Sequence, residues 1–149
     1  MIYKKVETDD EKRKERYVRD EVFVCEQQCP IELEFDELEE SALHYIYTDD
    51  NGGIIGCCRL TVSEKGVKLG RIAVLKHLRG NNYGFEIVKN AIEEAKKVCE
   101  ELGKPYPETP IYLNAQTYAI GFYLKLGFVE EGDVFIEANL PHMKMFYRE

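Results

Sequence analysis

The chain has 149 residues, of which 44% are hydrophobic and 32% charged, and its net charge is −8. This length fits one folded domain, 1–149, with a core of its own, and excludes a disordered chain or a disulfide-stapled mini-protein. The excess of acid excludes non-specific binding to nucleic acid or to an anionic membrane, because such binding depends on positive charge.

The predicted localisation depends on two features, membrane-spanning stretches and a signal peptide, neither of which the sequence shows. Its longest apolar stretches, such as Ile54 to Cys58, are far shorter than the ~20 residues that span a bilayer, and the N-terminal segment has no apolar signal core. Five cysteines, two of them adjacent at Cys57 and Cys58, suit free thiols that point to opposite faces of a strand. We therefore expect a cytoplasmic protein without disulfides.

Hydrophobic periodicity predicts a mixed order of strands and helices. After a strand at 2–6, Thr8 and Glu11 form a capping box that opens a helix, which carries Tyr17, Val18, Val22 and Cys25 on one side and ends before Pro30. The later elements are strands at 43–48, 54–62 and 67–75, a helix at 85–102, a strand at 111–114, a helix at 118–126, and strands at 128–136 and 142–147. The strand at 111–114 follows a helical crossover, so it should lie parallel to the strand at 67–75. The expected fold class is α/β, with six or seven mostly antiparallel strands and helices on both faces.

The charges are unevenly distributed along the chain. Eleven acids and no Lys or Arg stand between Asp20 and Cys58, whereas five cations and no acid stand between Lys65 and Phe85. The first segment suits a cationic ligand and the second an anionic one; a solvated charged face is the alternative for each.

A loop rich in small residues, Arg79-Gly80-Asn81-Asn82-Tyr83-Gly84, precedes the long helix. At a helix N-terminus such a loop directs backbone N–H groups and the positive end of the helix dipole at one spot, which suits a phosphate or pyrophosphate. The guanidinium of Arg79 would add a positive charge to this site. The alternative is that the loop is a tight turn that binds no ligand. The loop is neither a Walker motif nor a dinucleotide fingerprint, since the residues that define those motifs are missing.

The loop resembles the Arg/Gln-x-x-Gly-x-Gly/Ala pyrophosphate loop of the GNAT superfamily of acyl-CoA-dependent N-acyltransferases. The segment from Phe122 to Phe128 reads Phe-Tyr-Leu-Lys-Leu-Gly-Phe and resembles a second signature of that family. The resemblance covers nearly the whole chain, and segments such as Pro141-His142-x-x-Met145 suggest the ElaA-like branch. Asn82 stands where the loop commonly has glycine, but Asn enters left-handed backbone conformations more readily than other residues with side chains.

This resemblance implies the GNAT fold, with coenzyme A entering a split between the strands at 67–75 and 111–114. It also implies that acetyl-CoA is the cosubstrate and that Tyr123 is the general acid for the departing thiolate. The backbone of Ile72, Ala73 and Val74 would hold the pantetheine arm, and the residues from Arg79 to Gly84 would hold the diphosphate. The other cofactor contacts implied are Asn114, Gln116, which replaces a shorter amide, Phe122 and Lys125. No metal is expected, because Cys25 and Cys29 have no further ligands near them.

The general base stays open among four residues. Glu26 and His142 are candidates for the base or the acceptor side, and Glu32 and His44 are candidates for substrate binding. We also expect some carboxylates between Asp20 and Asp50 to attract a cationic amine. The alternative is an acidic rim of the site that has no role in binding.

The function implied is transfer of an acetyl group to a primary amine of a small molecule or peptide, by direct attack in a ternary complex. The first alternative is a non-catalytic module that binds or senses acyl-CoA, and the second is an interaction domain whose loop binds nothing. Pairing of edge strands into a homodimer is left open.

Overall fold

Seven strands form one mixed sheet with helices on both faces in the computed structural model, which describes residues 1–149. The strands are β1 (Ile2–Lys5), β2 (Leu43–Thr48), β3 (Ile54–Ser63), β4 (Gly66–Val74), β5 (Ile111–Gln116), β6 (Phe128–Glu137) and β7 (Leu140–Tyr147). The helices are α1 (Asp9–Arg19), α2 (Ile31–Glu34), α3 (Tyr83–Glu101) and α4 (Ile120–Lys125). A π-helical segment, Asp20–Glu26, continues α1, and a single 3₁₀ turn, Thr117–Ala119, precedes α4. None of the helices is long and apolar enough to cross a membrane.

The strand order is β1-β2-β3-β4-β5-β7-β6, and every neighbouring pair is antiparallel except β4 with β5. Helix α3 makes the crossover between these two parallel strands, as the sequence predicts. Their pairing runs only from Val67 and Ile111 to Leu69 and Leu113. Because both strands continue beyond that point without pairing to each other, the sheet is split there, as expected.

The two faces of the sheet have separate hydrophobic clusters. Cys57 belongs to a cluster with Val18 and Val22 of the N-terminal helical segment, whereas Cys58 belongs to the larger cluster with α3. The adjacent cysteines therefore point to opposite faces, as predicted from the period of two in a strand. All five cysteines are free.

The N-terminal helix begins as predicted but does not continue as predicted. Thr8 caps it, accepting a hydrogen bond from the N–H of Glu11 while the Glu11 side chain bonds back to the backbone of Thr8; such a cap stabilises a helix by ~1 kcal/mol. The α-helix ends at Arg19, and the wider π-helical turn that follows changes which side chains face the sheet. Tyr17, Val22 and Cys25 line one shallow depression, so these three share a side as predicted, but only Val18 and Val22 of the four are buried.

Candidate active site

Strand β4 has a bulge close to the split in the sheet. Cys57 pairs with Ala73 and Arg59 with Gly70, so the one residue between them on β3 faces two residues on β4. Arg71, one of these two, has a left-handed backbone with φ of 49°, which accommodates the extra residue. Beyond the bulge, the edge of β4 that faces β5 pairs with no strand. Backbone groups from Ile72 to Val74 on that edge are therefore available to an extended ligand.

The loop before α3 has the backbone that the sequence predicts for it. Gly80 and Asn82 both have left-handed conformations, with φ of 86° and 67°. Asn82 therefore takes the conformation expected of the glycine that it replaces. The first backbone hydrogen bond of α3 runs from the N–H of Glu86 to the carbonyl of Asn82, so the N–H groups of Tyr83, Gly84 and Phe85 lie at the open end of the helix.

Arg79 is held by two contacts at the entrance of this loop. Its Nε donates to the carbonyl of Val74 at 3.0 Å, and its two terminal nitrogens donate to the carboxylate of Glu26 at 2.5 and 2.7 Å. The hydrogen bond from Arg79 lowers the pKa of Glu26. While this ion pair persists, Glu26 is poorly suited to accept a proton, and its role as base or acceptor-side residue stays a prediction.

A cavity of about 490 Å³, here called the loop cavity, lies between this loop, the free edge of β4 and α4. The predicted cofactor residues that line it are Ile72, Ala73, Val74, Arg79, Gly80, Asn82, Tyr83, Gly84 and Phe122. The structure therefore brings most of the predicted cofactor residues together around one space.

A second cavity of about 300 Å³, here called the sheet cavity, lies on the α1 side of the sheet over the split. Its floor includes Lys68 and Gly70 of β4, Asn114 and Gln116 of β5, and His142 of β7. The segment from Leu33 to Leu38 and the hairpin between β6 and β7 cover it. The two cavities share one group of lining residues, which are Gln27, Ile72, Tyr118, Ala119 and Tyr123.

Tyr123 lies where the loop cavity meets the sheet cavity. Edge-to-face contacts with Phe122 and Phe128, at centroid distances of 5.1 and 5.8 Å, fix its ring. Burial raises the pKa of its hydroxyl, and Tyr118 raises it further. The phenol therefore stays protonated at neutral pH and can donate a proton to a group in either cavity.

The two predicted amides, Asn114 and Gln116, line the sheet cavity and not the loop cavity. Asn114 donates to Glu137 at 3.3 Å, and Gln116 donates to Gln27 at 3.0 Å. The carbonyl oxygen of the Asn114 side chain is buried without a partner.

His142 is buried at the floor of the sheet cavity, where its ring stacks on Phe135 at 5.9 Å. Its Nδ1 lies 2.8 Å from the carbonyl of Leu140. A carbonyl only accepts, so Nδ1 carries the hydrogen and Nε2 of the neutral ring keeps its lone pair. His142 is thus the one candidate base that the structure places in a cavity with a free acceptor nitrogen.

Four other predicted residues lie outside both cavities. Lys125 is exposed on α4, and Asn81 is exposed with its side chain donating to the carbonyl of Leu78 at 2.9 Å. Glu32 is exposed on α2, while the buried carboxylate that lines the sheet cavity belongs to Glu34. His44 binds the side chain of Glu15 and the carbonyl of Glu39, at 3.0 and 2.9 Å. None of these four side chains lines either cavity, and their roles stay predictions.

Three arginines pair with three carboxylates of the acidic segment, Glu34, Asp36 and Glu39. Arg19 is fully buried and pairs with Glu15, Glu34 and Glu39 at 2.7 to 3.1 Å. Arg59 and Arg71 complete the set, and the pairs they form are Arg59–Asp36, Arg59–Glu39, Arg71–Glu34 and Arg71–Asp36. The expectation that these carboxylates attract a cationic amine is therefore wrong for Glu34, Asp36 and Glu39.

Sequence analysis missed several residues of the sheet cavity, among them Lys68, Arg59, Gln27 and Glu137. A signal for one of them was present. Lys68 stands between Val67 and Leu69, which belong to the core on the α3 side, so alternation along the strand points Lys68 to the other face.

The seven-stranded mixed sheet with its flanking helices matches the fold of a solved acyl-CoA N-acyltransferase. The crystal structure of an acyl-CoA N-acyltransferase from Pseudomonas aeruginosa is 28% identical to the chain, with a TM-score of 0.83 over 99% of both chains. The crystal structure of Escherichia coli ElaA has a TM-score of 0.82 over 99% of this chain and 100% of its own.

The family follows from sequence comparison. A family model described as an acetyltransferase (GNAT) domain matches residues 7–148. The uncharacterized N-acetyltransferase YjcF of Bacillus subtilis is 39% identical over 87% of this chain and 86% of its own length. ElaA of E. coli is 30% identical over 83% of this chain and 78% of its own length. The chain therefore belongs to the GNAT acetyltransferase family, and the resemblance to its ElaA-like branch is confirmed.

Proposed function

We propose that the protein transfers the acetyl group of acetyl-CoA to a primary amine by direct attack within a ternary complex. The observation that carries this proposal is that the loop cavity and the sheet cavity meet at Tyr123. One space then takes the cofactor, the other takes the amine, and the phenol lies between them. Two substrates can occupy the protein together only if each has its own space.

The residues of the loop cavity suit acetyl-CoA, which supplies an activated thioester. The N–H groups at the start of α3 face the place of the diphosphate, and Arg79 can exchange Glu26 for it. The free edge of β4 at Ile72 to Val74 binds the pantetheine amides as an added strand would, and an N–H of this edge polarises the thioester carbonyl. The name of the P. aeruginosa relative, an acyl-CoA N-acyltransferase, supports the same cofactor.

Tyr123 is the proposed general acid. A departing thiolate needs a proton, and the raised pKa that burial gives the Tyr123 hydroxyl keeps that proton available at neutral pH. Its position between the cavities supports this role, because the thioester must lie where cofactor and amine meet.

His142 is the proposed base. An amine of the lysine type has a pKa of about 10.4, so it must lose a proton before it can attack. Nε2 of His142 can take that proton, either directly or through a water molecule, because Nδ1 is held by the carbonyl of Leu140.

Direct attack is favoured over an acyl-enzyme because the one thiol that lines either cavity is unsuited to nucleophilic catalysis. Cys29 lines the sheet cavity, but burial raises the pKa of its thiol. At neutral pH the thiol is therefore protonated, and the thiolate is the form that would attack a thioester.

The test measures CoA binding by calorimetry and thiol release from acetyl-CoA across a library of primary amines. Wild type should bind CoA, pyrophosphate should compete, and at least one amine should stimulate thiol release. Tyr123→Phe should lower kcat by about a hundredfold or more while the Kd for CoA is kept; exposed Tyr17, changed to Phe, is the control. Tight CoA binding without thiol release for any amine would instead indicate an acyl-CoA sensor, and no CoA binding would indicate an interaction domain.

A further inference from the structure

Lys68 is the cation of the sheet cavity that has no ion-pair partner. Arg59 and Arg71 line the same cavity, but each pairs with carboxylates of the acidic segment at 2.7 to 3.4 Å. No carboxylate lies within 4.0 Å of the Lys68 ammonium, and it forms no hydrogen bond within the protein. A half-buried ammonium without a partner is costly, so an anion brought into the cavity would stabilise it.

Three carboxylates line the sheet cavity with Lys68, but Glu34 and Asp36 pair with arginines and Glu137 accepts a hydrogen bond from Asn114. Burial lowers the pKa of Lys68; Glu137 and Asp36 oppose this effect from a distance, while Arg59 and Arg71 lower the pKa further. Arg59 is 5% exposed, and its Nε is a buried donor with no partner. Arg59 pairs with Gly70 on the neighbouring strand, so this unpartnered donor belongs to the same part of the sheet as Lys68.

Lys68 and Tyr123 belong to opposite ends of the sheet cavity. Lys68 is in register with Tyr112 of β5, whereas Gln116, at the end near Tyr123, stands four residues further along that strand. At ~3.3 Å per residue this offset is about 13 Å of strand. Lys68 is therefore placed to bind the far end of an acceptor and not its reacting amine.

The floor between these two ends is open. Gly70 shares the face of Lys68, because residues i and i+2 of a strand point the same way. A Cβ added at Gly70 would meet no atom within 4 Å. An extended acceptor can therefore lie over Gly70, from Lys68 towards Ile72 and Tyr123.

We propose that the acceptor is a primary amine whose far end carries a carboxylate, which Lys68 binds while the amine reaches Tyr123. This inference rests on the proposed function. It distinguishes one substrate class, amines with a distant carboxylate, from neutral amines and from diamines. A diamine would instead place its second ammonium beside Lys68, where like charges repel, and its only unpaired counter-charge in the cavity would be Glu137.

The test compares three acceptors that each have a chain of six carbons: hexylamine, hexanediamine and ω-aminohexanoate. Wild type should acetylate ω-aminohexanoate with a kcat/KM about tenfold or more above that of hexylamine, the effect expected of one charge-assisted hydrogen bond. Lys68→Met should bring this ratio close to one, and Lys68→Arg should restore most of it. Lys65→Met, which changes an exposed lysine in the turn before β4, should keep the wild-type ratio. A preference for hexanediamine, or an unchanged ratio in Lys68→Met, would overturn the proposal.

A binding measurement separates failure of this inference from failure of the proposed function. If none of the three amines is acetylated, ω-aminohexanoate and hexanoate are titrated calorimetrically into wild type and Lys68→Met, with their folding checked by thermal unfolding. Binding that is lost in folded Lys68→Met supports the carboxylate site even though acetyl transfer has failed. No binding to wild type, or equal binding to both proteins, refutes the site.

Discussion

The guanidinium of Arg79 forms a two-pronged ion pair with the carboxylate of Glu26, with N···O distances of 2.5 and 2.7 Å. Arg79 belongs to the loop before α3, and Glu26 ends the π-helical segment that follows α1. The pair therefore joins the N-terminal helical segment to the proposed diphosphate site. A bound diphosphate and Glu26 would compete for the same nitrogens.

We expect Glu26→Gln to strengthen CoA binding, because it removes the competing negative charge. The ion pair is partly exposed, so the gain should be modest, about two- to fivefold in Kd by calorimetry. Glu21→Gln, an exposed change on the same segment, should leave the Kd unchanged, whereas Arg79→Met should weaken binding. Weaker binding in Glu26→Gln would show that Glu26 assists Arg79 instead of competing with it.

Substitutions at Asn82 test whether the loop needs a left-handed backbone at this position. The φ of 67° at Asn82 suits Gly and Asn but strains a β-branched residue. Asn82→Gly should keep the Kd for CoA, whereas Asn82→Val should lose ~1–2 kcal/mol of unfolding free energy in urea and bind CoA more weakly. If Val is tolerated as well as Gly, the left-handed conformation is not required in solution.

Substitution of Arg19 tests how much the buried ion pairs contribute to stability. Burial alone would lower the pKa of Arg19, but the hydrogen bonds that Arg19 donates to Glu39 and the charges of Glu15 and Glu34 raise it above the ordinary value. Arg19→Ala would leave buried carboxylates without their cation, at a cost of ~3–5 kcal/mol of unfolding free energy. Arg13→Ala, which breaks an exposed pair with Asp10 on the same helix, should cost less than ~1 kcal/mol. Similar losses in the two variants would contradict the role assigned to Arg19.

His44 should make stability fall as the pH rises above about 6.5. Burial would lower its pKa, but the hydrogen bond with Glu15, the bond to the Glu39 carbonyl and the charges of both acids raise it above the ordinary value. The folded state then holds the proton more tightly than the unfolded state. The contribution to stability is fully present below a pH of about 6.5, the ordinary histidine pKa, and is lost as the pH rises through the folded value.

The measurement for His44 is the thermal unfolding midpoint as a function of pH. Wild type and the exposed variant His77→Gln should both lose stability over this range, whereas His44→Gln should lose less. An equal pH dependence in all three proteins would assign the effect to other groups.

The sequence predicted the elements whose causes are local. The capping box of Thr8, the apolar stripe of α3 and the left-handed conformation of Asn82 each depend on residues a few positions apart, and each is present. The parallel pairing of β4 with β5 was predictable for a similar reason, since a helical crossover returns the chain in the same direction. The family motifs then located the loop and Tyr123.

The tertiary structure alone decided which charges pair and which side chain is left without a partner. The acidic segment looked like a surface for cations, but β3 and β4 bring Arg59 and Arg71 beneath it, and Arg19 reaches it from α1. These partners lie 15 to 37 residues away from their acids, so no local pattern could pair them. The acids packed over the sheet pair with Arg59 and Arg71 but not with Lys68. The carboxylate preference proposed for the acceptor therefore depends on this tertiary arrangement. Charge along the chain predicted an anion for the segment that contains Lys68, but it could not show that three acids of the other segment already have cationic partners.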